Sequence, residues 1–229
     1  MRQLTYVRTS DGRPAVLKLG PPGDRELEQE LDALVWFAGC GGVRVLELDR
    51  ARGAVLLERI LPGTQLRMLV PDADEAATSA AAGLMRRLWR APPAEHRFPS
   101  AREWGRALRG RPAEVYGELC DTMGEPVVLH GDLHHDNVLR SDDGWVAIDP
   151  KGVVGEREYD TGALLRNPYP EPLTREMLSR RADQLAEELS LDRDRIWSWA
   201  WAQAHLATAW SVQDGEDPAY WLACAELLA

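Results

Sequence analysis

Cysteine is scarce in this chain of 229 residues, and no Cys-x-x-Cys pair occurs. Cys40, Cys120 and Cys224 are scattered and odd in number. That argues against a disulfide framework or a cysteine zinc site and favours free thiols in a reducing cytoplasm. Long apolar runs are missing too. None approaches the length of a membrane span, and Met1-Arg2-Gln3 leads into no signal-like stretch, so no membrane partner is expected. Positive charge is in deficit, with 27 Lys and Arg against 37 Asp and Glu and a net charge of -10. This argues against a nucleic-acid surface and suits a cationic small molecule. Internal repeats and low-complexity segments are also absent. What remains is an ordinary globular composition, 45% hydrophobic, with enough length for one or two compact units.

The most informative stretch runs from Val127 to Asp149. Val127-Val128-Leu129 reads as a strand and His130–Asn137 as a polar loop. Val138–Arg140 and Trp145–Ile148 form a hairpin across Ser141-Asp142-Asp143-Gly144, a turn sequence with Asp-Gly at its end. Antiparallel pairing about that turn sets Val138 near Ala147. Asn137 and Asp149 then emerge side by side at the open end. An amide oxygen and a carboxylate at one mouth suit Mg²⁺, a hard cation that shares oxygen ligands with substrate phosphates. Asp132 lies upstream in the same loop, where it can accept a proton from an incoming hydroxyl. The spacing His130-x-Asp132-x-x-x-x-Asn137 is that of a kinase catalytic loop, with Gly131 where protein kinases have Arg. These residues predict phosphoryl transfer from a nucleotide.

The organisation divides near Leu61-Pro62-Gly63. Before it, Leu4–Arg8 and Ala15–Leu19 flank a Ser10-Asp11-Gly12 turn. Arg25–Phe37 carries Leu27, Leu31, Leu34 and Val35 at helical spacing, and Gly39 follows as a stop. Val43–Leu48 and Ala54–Glu58 predict a second hairpin. Beyond the division the chain reads as mostly helical. Asp72-x-x-Glu75 predicts a capped start for a helix running towards Trp89. Leu178–Leu189 marks another helical face, and Asp192 and Asp217-Pro218 look like starts of the last two helices. The segments Pro92–Pro99 and Asn167–Pro172 read as loops. Trp197, Trp201 and His205 recur on one helical side with Trp199 on another, which predicts a core helix. Residues 1–60 therefore form an expected strand-rich lobe and 61–229 a helical one. The fold class is α+β, a bilobal kinase-like outline with the nucleotide between the lobes.

At these residues the chain resembles the aminoglycoside phosphotransferases, in the branch of streptomycin 6-phosphotransferase and hydroxyurea phosphotransferase. The resemblance rests on Leu129–His135, Ala147-Ile148-Asp149-Pro150-Lys151-Gly152, Leu164-Leu165-Arg166-Asn167-Pro168, Leu56–Arg59 and Ala207–Gly215. It implies ATP and Mg²⁺ as cofactors and a small-molecule hydroxyl as acceptor. Asp132 would be the base, and Asn137 and Asp149 the metal ligands. Lys18 shares a strand face with Val16 and would reach the nucleotide phosphates. Glu30 matches the helix carboxylate that pairs with that lysine, with Glu26 and Glu28 as nearby competitors. Glu58 to Ile60 would be the lobe connection where backbone meets adenine. His130 is expected to be structural and Asp160 to brace the loop. Asp214, Glu216 and Asp217 are candidate attractors of an acceptor's ammonium groups, or a solvated acidic turn.

The family also has a strand and a phosphate-covering loop ahead of the Leu4–Leu19 hairpin. The chain begins too late to hold them, so a truncated roof and weak turnover are expected, with an upstream extension restoring activity. Two other classes remain open from the residues. One is a metal-dependent hydrolase built on the dense His130–Asp136 run. The other is a non-catalytic kinase-like binding module.

Overall fold

The computed structural model describes residues 3–229, so the first two residues of the expected strand-rich lobe lie outside the described residues. Four strands form one antiparallel sheet in the order β1-β2-β4-β3: β1 Gln3–Arg8, β2 Pro14–Leu19, β3 Val45–Asp49 and β4 Ala54–Glu58. Helix α1, Arg25–Phe37, follows β2. The Asp24 carboxylate caps it, accepting from Leu27 N at 2.8 Å. Leu27, Leu31 and Leu34 of α1 pack with Val55 and Leu57 of β4. That packing presses one face of the helix onto the sheet and brings Glu30, buried on the same helix, beside Lys18 of β2.

Beyond β4 the chain is mainly helical. Helix α2 spans Val70–Leu88, α3 Ala101–Trp104, α4 Arg111–Asp121, α5 Arg157–Leu165, α6 Arg175–Leu189, α7 Arg193–Asp214 and α8 Ala219–Leu228. The remaining strands are β5 Pro62–Gln65, β6 Val127–Leu129, β7 Val138–Ser141, β8 Gly144–Ala147 and β9 Val153–Gly155. The pairs β7–β8 and β6–β9 are antiparallel, and β5 adds to the free side of β7. Helix α7 is the axis of this part. Its Ile196 and Ala200 share one buried cluster with Leu84, Met85 and Leu88 of α2 and with Leu178 and Leu185 of α6. Its Trp199 packs edge-on to Tyr116 of α4, with ring centroids 4.9 Å apart. Such burial of one large aromatic stabilises by about 1.5–3 kcal/mol.

Two expectations need correction. Asp72 does not cap α2. The helix starts at Val70 and breaks at Ala73 (φ -150°, ψ 49°). The break lets the Asp74 carboxylate reach Arg181 of α6, fully buried, at 2.6 Å. Arg181 also donates to Asn167 O at 2.6 Å. A buried guanidinium needs such partners, and this tertiary demand overrides the local start signal. Second, the strand expected from Val43 begins at Val45. Val43 N instead donates to Ala147 O at 2.9 Å, and Ala147 N donates to Gly41 O at 2.8 Å. This clip ties the four-stranded sheet to the β7–β8 hairpin. Of the tryptophans of α7, Trp199 is fully buried, while Trp197 and Trp201 are half-buried against the core. The core role expected for the helix stands.

Candidate active site

The strand β6 is buried over all three residues and feeds the loop His130–Asn137. His130 is fully buried. Its Nε2 lies 2.9 Å from Ile148 O, a pure acceptor, so Nε2 carries the proton. Its Nδ1 then accepts from Asp132 N at 3.3 Å. Burial pushes the His130 pKa down to about 3, which keeps it neutral. His130 thus holds the loop backbone, and its carbonyl accepts from Lys151 N at 2.8 Å. Asp160 of α5 braces the same loop from beneath. Its Oδ2 accepts from His130 N and Trp89 Nε1, each at 3.0 Å, and its Oδ1 from Gly131 N at 2.8 Å. Burial raises the Asp160 pKa, and these three donors oppose that rise. Gly131 sits at φ +83°, and a Cβ there would lie 3.0 Å from Val153 Cγ2. The loop therefore needs glycine where protein kinases carry arginine.

The hairpin has the register read from its turn. Val138 pairs with Ala147, and Ile148 N donates to Asn137 O at 2.9 Å. Asn137 and Asp149 thereby flank the open end on adjacent backbones. Asp149 adopts a left-handed backbone, φ 57°, and its carboxylate turns towards the four-stranded sheet. There Lys18 Nζ bridges Glu30 Oε1 and Asp149 Oδ1, the latter at 2.8 Å. The partner of Lys18 on α1 is Glu30 and not Glu28, which is bound to Arg50 at 2.7 Å. Burial works against the Lys18 ammonium, but the Glu30 and Asp149 carboxylates outweigh it and hold its pKa above the ordinary lysine value. Burial likewise opposes charge on Asp149, and Lys18 overcomes it and holds that carboxyl below the usual range. Both ends of the bridge stay charged at neutral pH.

Asp132, with a side chain 38% exposed, lines a cavity of about 890 Å³ together with Glu30, Lys151 and Arg166. Asn137 Nδ2 donates to Asp132 O at 3.0 Å. That commits the amide nitrogen to protein and leaves its oxygen as the donor for a cation. With the Asp149 carboxylate this makes a set of hard oxygen donors that fits Mg²⁺. Glu58 points elsewhere. Its carboxylate accepts from Arg44 N at 2.9 Å and Arg44 Nε at 2.8 Å. Ile60 is half-buried and, like Val16, Val146 and Ile148, packs against the apolar cluster of α1, Val43 and β4.

Several cavity residues had no local signal. Arg166 donates to Gln203 Oε1 at 3.0 Å, and Gln203 Nε2 donates to Tyr159 O at 2.7 Å. Trp104 and Trp210 meet edge-on at 5.4 Å, and Tyr169 stacks on Trp221 at 5.5 Å. All four line the cavity. Of the acidic run at the end of α7 and just beyond it, Asp214 and Glu216 line the cavity, whereas Asp217 accepts from Ala219 N at the start of α8. The hydrolase alternative is not favoured. Both His130 nitrogens are spent on backbone, and His135 is buried, with a pKa pushed down to about 3 by burial. Among the described residues no group of three or more His, Cys, Asp or Glu is arranged to hold a metal ion.

A model of the aminoglycoside/hydroxyurea antibiotic resistance kinases matches residues 2–215. The chain belongs to this kinase family. It is a small-molecule phosphotransferase with an alcohol group as acceptor. Among its relatives, the streptomycin 6-kinase of Streptomyces griseus is 33% identical over 91% of this chain and 74% of that protein. The hydroxyurea phosphotransferase of Kitasatospora aureofaciens is 33% identical over 98% and 70%. The fold is that of choline kinase LicA from Streptococcus pneumoniae, with a TM-score of 0.71 at 14% identity over 97% of this chain and 88% of that one. LicA in complex with AMP superposes with a TM-score of 0.70. Among the described residues no helix is long and apolar enough to cross a membrane.

Proposed function

We propose that the chain transfers the γ-phosphoryl group of ATP to a hydroxyl of a cationic, multi-ring aminoglycoside such as streptomycin, giving resistance to it. In this reading residues 1–60 form the nucleotide roof and 61–229 carry the catalytic loop and the acceptor site. The observation that carries it is the Lys18 ammonium, clamped between Glu30 and Asp149 beside the Asp132 loop. A lysine so held is aimed at phosphates. The acceptor oxygen attacks the γ-phosphorus, its proton passes to Asp132, and the bond to the bridging oxygen of ADP breaks. Lys18 stabilises the charge that develops on the phosphates. Asn137 and Asp149 would hold Mg²⁺, which when bound neutralises the β- and γ-oxygens. Ile60 and Val16 would contact adenine, and Glu58 would act by fixing the strand end through Arg44 rather than by touching nucleotide.

The cavity beside Asp132 supports the acceptor class. At about 890 Å³ it is in the range of drug-sized ligands, far larger than hydroxyurea needs. Its Trp104–Trp210 and Tyr169–Trp221 walls offer flat apolar faces to sugar rings, and Asp214 and Glu216 offer charge to ammonium or guanidinium groups. Incubation with Mg-ATP and a panel including streptomycin and hydroxyurea, followed by mass spectrometry, tests this. A phosphorylated aminoglycoside is the expected product. A panel in which hydroxyurea alone is phosphorylated would remove the multi-ring acceptor, and no phosphorylated product at all would remove the reaction.

A further inference from the structure

We propose that Lys151 is a catalytic residue: its ammonium meets the oxygens of the phosphoryl group as that group passes from nucleotide to acceptor. The inference rests on the reading of this site as one of phosphoryl transfer and adds a residue to it. The argument starts from a scarcity. All but two of the 27 Lys and Arg residues are arginines, and the two lysines are Lys18 and Lys151. On a solvated surface either cation serves, but a compact ammonium on a flexible stem is offered by lysine alone. Both lysines stand at Asp149. Lys18 reaches it from the sheet, with Nζ 2.8 Å from Oδ1. Lys151 follows it by two residues, and its charge helps hold the Asp149 carboxyl down. Of the two, Lys151 lines the cavity that Asp132 lines, and Lys18 does not. One ammonium thus serves the nucleotide side of Asp149 and the other the acceptor side.

The backbone of Lys151 is fixed from two sides. Its N donates to His130 O at 2.8 Å, and its O accepts from Gln29 Nε2 of α1 at 2.7 Å. Gly152, at φ +66°, lets the chain press onto that helix, where a Cβ would lie 2.7 Å from Ala33 Cβ. Lys151 Cβ faces Gly131, 3.2 Å from where a Cβ of that residue would stand, so the side chain starts beside the residue that precedes Asp132. The residue is half-buried, and among the described residues its ammonium makes no ion pair or hydrogen bond. Arg166, by contrast, is tied by Nε to Gly162 O and by Nη2 to Gln203. Asp132, Asp136, Asp214 and Glu216 line the same cavity and suit a cationic acceptor, which Lys151 repels. The anion that an ammonium can serve there is the phosphoryl group. The acceptor oxygen bonds to the γ-phosphorus, the bond to the bridging oxygen breaks with its electron pair leaving on ADP, and the acceptor's proton goes to Asp132. Lys151 gives up no proton and forms no covalent bond. It stabilises the charge spread over the three equatorial oxygens.

The test uses the full chain with ADP, Mg²⁺ and fluoroaluminate, a mimic of the transferring phosphoryl group that needs no acceptor. Calorimetry compares ADP affinity with and without the fluoroaluminate. In Lys151→Met the affinity for Mg-ADP alone stays near wild type, while most of the tightening by fluoroaluminate is lost. With Mg-ATP and streptomycin, kcat falls by about 10²–10³-fold, the range for one lost electrostatic stabiliser, and KM for streptomycin is little changed. Lys151→Arg keeps the charge but recovers little of either quantity, because a guanidinium cannot present a compact charge. Wild-type tightening in Lys151→Met overturns the proposal. So does a raised KM for streptomycin at unchanged kcat, which would make Lys151 an acceptor contact. Wild-type tightening in Lys151→Arg overturns the need for an ammonium, even if the Met variant does not fold. A wild-type chain that shows neither tightening nor transfer removes the reading beneath, and one that shows tightening without transfer removes streptomycin alone, with Lys151 then decided by the calorimetry.

Discussion

Cutting either side of the Lys18–Glu30 bridge should cost the protein much of its stability, and cutting both should return most of it without returning activity. The two side chains are 9% and 7% exposed. Removing one member of a buried ion pair costs about 3–5 kcal/mol, because the remaining charge stays in a poorly solvated site. Glu30→Leu leaves the ammonium facing Asp149 at 2.8 Å, a carboxylate that is itself 49% exposed. Its cost therefore falls at the lower end, about 3 kcal/mol, or a fall in Tm of roughly 6–12 °C for a chain of this size. Lys18→Met removes the only ammonium in the bridge and belongs higher in that range. In Lys18→Met/Glu30→Leu the two buried charges vanish together and apolar groups of similar volume fill the space, while the half-exposed Asp149 carboxylate is left to solvent. The double variant should lie within about 1–2 kcal/mol of wild type, a coupling well above the 0.5 kcal/mol that separates additive from interacting sites. Urea unfolding of all four proteins at pH 7 measures the cycle, and phosphoryl transfer is assayed in parallel. Additive losses would show that the bridge is not a coupled buried pair. Recovered turnover in the double variant would show that Lys18 does nothing for the phosphates.

Asp132→Ala should abolish turnover by about 10²–10⁴-fold, the range of a lost general base, with nucleotide affinity by calorimetry close to wild type. Asp149→Ala should weaken nucleotide binding in the presence of Mg²⁺ far more than in its absence, as read by the same titration with and without chelator. Asp160→Ala orphans three donors on His130, Gly131 and Trp89. Its thermal unfolding should show a loss of about 3–5 kcal/mol, with Asp160→Asn milder because the amide oxygen still serves part of the set. The pH dependence follows from Asp149, whose folded pKa is depressed. Its contribution is present above the unfolded carboxyl value of about 3.9 and is lost as pH falls through the lower folded value. Acid unfolding of Asp149→Asn should accordingly be flatter than wild type below about pH 4.

Much of the site was legible because it is local. The turn at Ser141–Gly144 sets the hairpin register, and the register alone places Asn137 and Asp149 together. The Asp24 cap and the leucines of α1 carry Glu30 to Lys18 by helical spacing. What escaped is non-local. The start of α2 is decided by Arg181, more than a hundred residues further along the chain, which takes the carboxylate of Asp74. The cavity walls come from α1, α3, α5, α7 and α8, from the catalytic loop and from the loop holding Tyr169, and no window of sequence contains them. Trp199 is the buried tryptophan of α7 because α4 and α5 both lie against that side, a choice periodicity cannot make on a helix that is apolar on several faces.

The backbone twist at Asp149 narrows what inheritance can do at that position. A φ of 57° penalises most side chains by about 1–2 kcal/mol, and asparagine, aspartate and glycine tolerate it best. Of these three, only aspartate brings a negative charge. A lengthened acid such as glutamate would keep the charge but strain the chain and overshoot Lys18. Drift at this residue therefore has no gradual route: each neighbour in the genetic code that fits the conformation surrenders the anion, and each that keeps the anion fits the conformation badly.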